Sequence, residues 1–145
     1  MRQLFYDEAG FFSSFNYDIS SWDVSGVTHM EALFTYASSF NGDLSAWDVS
    51  GVTNMQVMFG YASSFNGDIR SWDVSSVTTA DYMFYYASSF NGDICSWDVS
   101  SETAHDYMFS GPTSFDNDNR PLTDFPEPVP TTWPTFFYVR GFNGV

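Results

Sequence analysis

Hydrophobic and polar positions repeat along most of the chain with a period of 25 residues. Three aromatic series carry the period: Trp22, Trp47, Trp72 and Trp97; Phe15, Phe40, Phe65, Phe90 and Phe115; and Phe34, Phe59, Phe84 and Phe109. A fixed period of this length is the signature of tandem units that bury their apolar faces against each other. The sequence predicts four tandem units over residues 15–115, an N-terminal cap or partial unit over 1–14, and a proline-rich C-terminal cap or linker over 116–145.

Each unit divides into two halves by its hydrophobic spacing. The second half has the i, i+3, i+4, i+7 spacing of a short amphipathic helix, as in Met30, Leu33, Phe34 and Ala37. Thr28 and Glu31 have the spacing of a capping box at its start, and the pairing recurs as Thr53 with Gln56 and, in a weaker aspartate form, as Thr78 with Asp81. In the third unit Val77 and Tyr82 stand where a hydrophobic staple would. The first half, 15–24, is rich in aromatic and β-branched residues and predicts a strand segment with a corner at Ser20-Ser21. We therefore predict an α/β repeat, a solenoid with one short strand segment and one short capped helix in each coil.

The repeated strings FNGDI, SWDVS, VTxM and MFxYASSF carry a resemblance over about residues 10 to 118. They resemble the repeats, of similar length, of bacterial surface lipoproteins and cell-wall proteins, a divergent branch of the leucine-rich-repeat class. The resemblance implies a leucine-rich-repeat-like solenoid, an extracellular or cell-surface location, and a function in adhesion or binding. It implies no particular ligand.

Composition limits the partners. The 145 residues are 43% apolar and 21% aromatic, enough for one hydrophobic core. They contain four arginines and no lysine, and the formal charge of −14 repels phosphate backbones and anionic membranes, so we predict no nucleic-acid partner. No apolar run approaches the roughly 18 residues of a membrane span, which predicts no direct membrane insertion. No signal peptide is visible at the start, so a surface location would make this a mature form or a fragment.

Nine of the 18 acidic residues fall on two series with the same period, Asp18, Asp43, Asp68, Asp93 and Asp118, and Asp23, Asp48, Asp73 and Asp98. Charges stacked about 4.8 Å apart repel each other by roughly 1 kcal/mol even in water, so the series need compensation. In one interpretation, which we favour, each aspartate accepts N–H bonds of its own turn. In the other, calcium is held between units, with Asp18, Asp43, Asp68 and Asp93 as the candidate ligands and calcium as the one cofactor.

The candidate binding surface is a second aromatic series. The tryptophans and phenylalanines keep a core position in every unit, which indicates packing. Tyr36, Tyr61 and Tyr86 instead flank the apolar stripe, so we predict a partly exposed strip that contacts a protein or glycan surface. His29, His105 and Cys95 have no partner at a recognisable catalytic spacing, and we predict that the protein is not an enzyme.

These observations favour a non-enzymatic extracellular scaffold for adhesion or macromolecular binding. An alternative is a structural subunit that assembles end to end into a fibre or other homo-oligomer, since both ends of the chain are aromatic. The candidate assembly residues are Phe5, Phe11, Phe12, Trp133, Phe136, Phe137 and Tyr138. A weaker alternative is a carbohydrate-binding module that uses the tyrosine strip.

Overall fold

The computed structural model describes residues 11–99, 104 and 106–111. Within this part of the chain, the regular secondary structure is one 3₁₀ helix, Phe11–Ser14, and three isolated parallel bridges. The bridges join His29 to Asn54, Asn54 to Thr79, and Thr79 to Ala104. The predicted α/β, leucine-rich-repeat-like solenoid is therefore wrong, because neither its helix nor its strand forms in the described residues.

The segment predicted as a helix, 30–37, is a run of overlapping turns whose amides point alternately in two directions. The amides of Leu33, Thr35 and Ala37 donate to the carbonyl three residues earlier, at 3.3, 3.3 and 3.0 Å. The amides of the even-numbered residues 30–36 instead donate to carbonyls 24 residues ahead, at 2.8 to 2.9 Å: Met30 to Asn54, Ala32 to Gln56, Phe34 to Met58, and Tyr36 to Gly60. The same alternation recurs in the two following units. Neighbouring 25-residue units are thus joined by backbone hydrogen bonds from every second residue.

Left-handed backbone conformations make this alternation possible. Positive φ angles occur at every fourth residue of these segments: Ala32 (54°), Tyr36 (63°), Val57 (56°), Tyr61 (59°), Tyr82 (58°), Tyr86 (55°) and Tyr107 (56°). A right-handed helix needs negative φ throughout, so the chain cannot continue as a helix past such residues. The apolar stripe that suggested a helix is buried all the same, since Met30, Leu33, Phe34 and Ala37 are each 0% exposed.

The threonines predicted as helix caps connect neighbouring units instead. The Thr53 hydroxyl donates to the carbonyl of Thr28 at 3.1 Å, and the Thr78 hydroxyl donates to the carbonyl of Thr53 at 3.0 Å. The amides of Thr53 and Thr78 donate to the same two carbonyls at 2.8 Å. The predicted capping boxes are wrong, because the hydroxyls of Thr53 and Thr78 serve the contact between units and the Thr28 hydroxyl lies 2.9 Å from His29 Nδ1.

Two turns break the predicted strand, one inside residues 15–24 and one that begins at their last residue, Val24. One lies at the predicted corner, where the Trp22 amide donates to the carbonyl of Ile19 at 3.1 Å, and the Val27 amide closes the next turn on Val24 at 2.8 Å. Where adjacent units approach, the Asn41 amide donates to the side-chain oxygen of Asn16 at 3.0 Å. Asn66 and Asn91 repeat this contact at 2.8 Å. Because a side chain supplies the acceptor at this place, no backbone ladder forms there.

Columns of aromatic rings form the core. Phe34, Phe59, Phe84 and Phe109 stack with ring centroids 5.4, 5.5 and 5.6 Å apart. Phe40, Phe65 and Phe90 form a second column, at 5.9 and 5.8 Å, against the first. The Trp72 and Trp97 rings stack at 6.2 Å, and each indole N–H donates to a carbonyl of the preceding unit, Leu44 at 3.0 Å and Ile69 at 3.2 Å. The described phenylalanines of both series, and Trp47, Trp72 and Trp97, are buried as expected from their period, while Trp22 of the first unit is 39% exposed.

Candidate functional site

Tyr36, Tyr61 and Tyr86 lie one above another at the surface. Their ring centroids are 4.7 and 5.3 Å apart, with interplanar angles of 11° and 16°. Tyr36 is 47% exposed and Tyr86 is 40% exposed, while Tyr61 between them is half-buried. The structure therefore brings the three predicted strip residues together, and their part in binding stays a prediction.

The backbone conformation of these tyrosines is unfavourable for a side chain. All three have positive φ, between 55° and 63°. The equivalent position in the fourth unit is Gly111, with a φ of 103°, and a Cβ added there would lie 2.7 Å from a ring carbon of Tyr86. The ring of Tyr86 thus rests against the backbone of Gly111, the last described position of this column.

Three further tyrosines extend this column sideways. The Tyr85 ring meets Tyr61 at 5.4 Å and Tyr86 at 4.7 Å, at steep angles of 86° and 69°. Tyr82 meets Tyr85 at 5.5 Å and 84°, and Tyr107 stacks on Tyr82 at 5.2 Å and 14°. We call this continuous cluster the tyrosine face; it consists of Tyr36, Tyr61, Tyr82, Tyr85, Tyr86 and Tyr107.

Sequence reasoning missed the second half of the tyrosine face. The helix interpretation paired Tyr82 with Val77 as a staple, which implied contact with the apolar core. In the structure Tyr82 is half-buried and Tyr107 is 39% exposed. The available signal was the 25-residue spacing of Tyr82 and Tyr107, the same spacing that identified the first column.

Two hydroxyls of the tyrosine face, those of Tyr61 and Tyr82, have a raised pKa. Burial raises the pKa of Tyr61, and its neighbours Tyr85 and Tyr36 raise it further. Burial also raises the pKa of Tyr82, with added effects from Tyr107 and from Asp81 and Asp106. The Asp106 amide donates to Asp81 Oδ1 at 2.8 Å. Near neutral pH these two phenols therefore donate and accept hydrogen bonds without carrying charge.

The aspartate series close turns. Asp48 Oδ1 accepts the Ser50 amide at 3.1 Å and the Ser50 hydroxyl at 2.6 Å. Asp18, Asp23 and Asp73 bind Ser20, Ser25 and Ser75 in the same way. Asp43 and Asp93 accept the amides of Ser45 and Cys95. Asp68 accepts the amide and the guanidinium Nε of Arg70, both at 3.1 Å. The turn interpretation therefore describes what these residues do.

Hydrogen bonding to the ionised carboxyl lowers the pKa of six aspartates of these series. At Asp18, Asp23, Asp48 and Asp73 the serine hydroxyl contributes most and the serine amide contributes next. At Asp43 and Asp68 the backbone amide contributes most. Turn bonding thus offsets the repulsion between neighbouring carboxylates of each series.

A family model matches residues 1–122, and its description reads Mycoplasma protein of unknown function, DUF285. The chain belongs to the DUF285 family. No curated protein and no solved structure matches it. Membership agrees with the expected bacterial family, while the leucine-rich-repeat part of the resemblance finds no support in the described residues. Among those residues, no helix has the length and apolar character that crossing a membrane requires.

The calcium hypothesis finds no converging set of ligands in the described part of this DUF285 chain. No three His, Cys, Asp or Glu side chains lie there in an arrangement that could hold a metal ion. The four candidate ligands, Asp18, Asp43, Asp68 and Asp93, each use Oδ1 in a turn instead. Calcium binding therefore stays a prediction without a site, and Asp118 lies outside the described residues.

The candidate assembly residues lie largely outside the described part of the chain. Phe5 at the N-terminus and Trp133, Phe136, Phe137 and Tyr138 at the C-terminus are not among the described residues. Phe11 and Phe12 begin the 3₁₀ helix. The C-terminal segment 116–145, predicted as a cap or linker, also lies outside. End-to-end assembly into a fibre consequently remains a sequence-based prediction.

Proposed function

We propose that this protein is a non-enzymatic binding module of the cell surface whose tyrosine face attaches to another protein. The observation that carries the proposal is the face itself, six contiguous rings that are partly exposed and held in place by their neighbours. Tyrosine is enriched at the centres of protein interfaces because it gives a large contact area and a hydroxyl for few rotatable bonds. The surface location rests on the resemblance to surface-lipoprotein and cell-wall repeats.

Preorganisation supports a binding role for the face. Stacking and edge contacts restrict each ring before any partner arrives, so association would cost less side-chain entropy than it would for isolated tyrosines. A partner would therefore meet a surface that already has its bound shape.

Backbone strain at the tyrosines supports the same role. A residue other than glycine in the left-handed region costs on the order of 1–3 kcal/mol and persists where the surroundings enforce it, often at functional sites. Gly111 shows that the fold accepts glycine at the equivalent position. Ala32 and Val57 share this conformation, so the turns impose it whatever the side chain, and it is the use of tyrosine rather than glycine in three units that favours a function for the side chain.

The covered ring faces favour a protein partner over a sugar. Sugar recognition by aromatic residues uses an open ring face, because the ring of the sugar packs flat on it. In the column of Tyr36, Tyr61 and Tyr86, neighbouring rings cover one another's faces at about 5 Å. The ring edges and hydroxyl groups of these tyrosines remain for contact with a partner, and they suit the mixed polar and apolar groups of a protein surface.

The test is direct binding to immobilised extracellular-matrix proteins and to a glycan array, read by interferometry. The variant changes Tyr36, Tyr61 and Tyr86 to asparagine, which tolerates the left-handed conformation. We expect the intact protein to bind one or more of the proteins, and the triple variant to lose at least about tenfold in affinity, the equivalent of 1.4 kcal/mol.

The matched control is Tyr17→Asn, because Tyr17 is 75% exposed and makes its ring contact with Phe15, away from the tyrosine face. This control should bind like the intact protein. Equal binding by the triple variant, or binding to glycans alone, would overturn the proposal.

A further inference from the structure

The two columns of the tyrosine face differ in their charged neighbours. Tyr82 and Tyr107 each follow an aspartate in sequence, Asp81 and Asp106, and the hydrogen bond between these aspartates holds them on adjacent units. The preceding units carry Glu31 before Ala32 and Gln56 before Val57 at the same two positions. Paired tyrosines beside paired aspartates are therefore a local feature of the third and fourth units.

This cluster is accessible. Asp106 is exposed, Tyr107 is 39% exposed, and Asp81 and Tyr82 are half-buried. The Tyr82 and Tyr107 rings stack at 5.2 Å, which fixes the two side chains in parallel. Two carboxylates and two phenol hydroxyls consequently lie together on a partly apolar surface, and every one of these groups can accept a hydrogen bond.

The described part of the chain offers little positive charge of its own. Arg70 is the one arginine there, the sequence contains no lysine, and Arg70 forms an ion pair with Asp68 at 3.1 Å. The protein as a whole has a formal charge of −14. A cation at this cluster would therefore come from outside the described residues, and the formal charge of −14 favours a basic segment of a partner.

We propose that Asp81, Tyr82, Asp106 and Tyr107 form a subsite for an arginine side chain from a basic segment of a partner protein. The proposal rests on the proposed function, because it specifies the partner of the same tyrosine face. A guanidinium carries five N–H donors in a planar fork, so one group can bond to carboxylates and phenol oxygens together. Its aliphatic stem packs against ring edges while its charged end stays near water.

The chemistry selects arginine over lysine. An ammonium is a compact and strongly hydrated charge with three donors, whereas a guanidinium is weakly hydrated and matches acceptors spread over a plane. The acceptors here lie on two units rather than at one point. A segment rich in arginine should therefore bind more tightly than one of equal charge that carries lysine.

The first experiment uses three fluorescent 12-residue peptides that differ at two central positions, occupied by arginine, lysine or glutamine. Fluorescence anisotropy with the full-length protein gives the dissociation constants. The salt concentration is about 0.15 M, because the Debye length is then about 8 Å and distant charges are screened. The expected order is arginine tightest, lysine weaker by several-fold, and glutamine weakest. Equal binding of the arginine and glutamine peptides would overturn the proposal.

The second experiment separates the subsite from general attraction to an acidic protein. The double variant Asp81→Asn/Asp106→Asn removes two charges and keeps the oxygen that accepts the Asp106 amide. The control Asp43→Asn/Asp93→Asn removes two charges from the turn series and keeps turn acceptors there. We expect the Asp81→Asn/Asp106→Asn variant to bind the arginine peptide with about tenfold lower affinity than the intact protein, and the control variant to lose less than about twofold. Equal weakening by both pairs would contradict a local subsite.

The same variants separate the failure of this inference from the failure of the proposed function. If Asp81→Asn/Asp106→Asn leaves matrix-protein binding intact while the triple tyrosine variant abolishes it, the arginine subsite is wrong and the binding function stands. If neither variant changes binding, both are wrong. If both variants weaken binding, and the tyrosine ring resonances of the intact protein shift on adding the arginine peptide, both are supported.

Discussion

Replacing Trp72 by alanine tests the packing of the units most severely. The side chain is 4% exposed, its ring stacks on Trp97 at 6.2 Å, and its indole N–H donates to the carbonyl of Leu44 at 3.0 Å. Removing a buried tryptophan costs about 3–5 kcal/mol through lost transfer energy and the cavity left behind. The Leu44 carbonyl keeps the Trp47 amide as a donor at 3.1 Å, so the cavity rather than an unpaired acceptor sets the expected loss within that range.

Trp22 provides the matched control, because it is the equivalent residue of the first unit and is 39% exposed. Trp22→Ala should destabilise by roughly 2 kcal/mol, in proportion to its smaller burial. The assay is equilibrium unfolding in urea, with equal slopes required before the midpoints are compared. The reasoning is refuted if Trp72→Ala costs under about 1 kcal/mol, or if the two substitutions cost the same.

Four further predictions follow from local contacts. Gly67→Ala should cost about 1–2 kcal/mol, since its Cβ would lie 3.0 Å from both the Gly42 carbonyl oxygen and a Phe65 ring carbon, whereas Gly26→Ala, with nothing within 4 Å, should be neutral or stabilising in the same urea assay. Ala80→Met should raise stability by about 0.5–1 kcal/mol, because Ala80 borders a cavity of about 10 Å³ and methionine fills the equivalent position in two units; a lower melting temperature would contradict this. Asp48→Ala should destabilise at neutral pH, and its gap from the intact protein should close as the pH falls below about 4: the lowered pKa of the folded carboxyl means that its stabilisation is present above the unfolded pKa and disappears on protonation. Melting curves in calcium and in chelator should coincide if the aspartates serve turns alone; a midpoint that rises with calcium concentration would restore the metal hypothesis.

The sequence was sufficient to predict most of the buried core, with Trp22, 39% exposed, as an exception. Trp72 and Phe59 are buried because an aromatic residue at the same position of every unit packs against the equivalent residues of the neighbouring units. The turn at Ser20-Ser21 and the turn bonds of the aspartates were also within reach, since Asp and Ser at these spacings bond to their own backbone. The stacked strip of Tyr36, Tyr61 and Tyr86 followed from the same period.

The spacing of hydrophobic residues could not predict the path of the backbone. An i, i+3, i+4, i+7 stripe states which residues share a face, and it does not state whether the amides point along the chain or to the next unit. Val57 and Tyr61 are β-branched and aromatic residues with positive φ, a conformation that no propensity scale assigns to them. Hydrogen bonds between units decide this conformation, and they depend on residues 24 positions away. Because a helix was assumed, Tyr82 was placed against the core, and half of the tyrosine face was therefore not predicted.

The acceptor of the Phe59 amide is the most direct measurement of this architecture, because it separates a helix from stacked turns at one atom. The structure has this amide donating to the carbonyl of Met83 at 2.8 Å, while an α-helix would direct it to the carbonyl of Met55, four residues earlier. Scalar coupling across the hydrogen bond in isotope-labelled protein identifies the acceptor carbon. A cross-peak from the Phe59 nitrogen to the Met83 carbonyl carbon is the expected result; a cross-peak to the Met55 carbonyl carbon would show a helix and would remove the backbone that supports the tyrosine face.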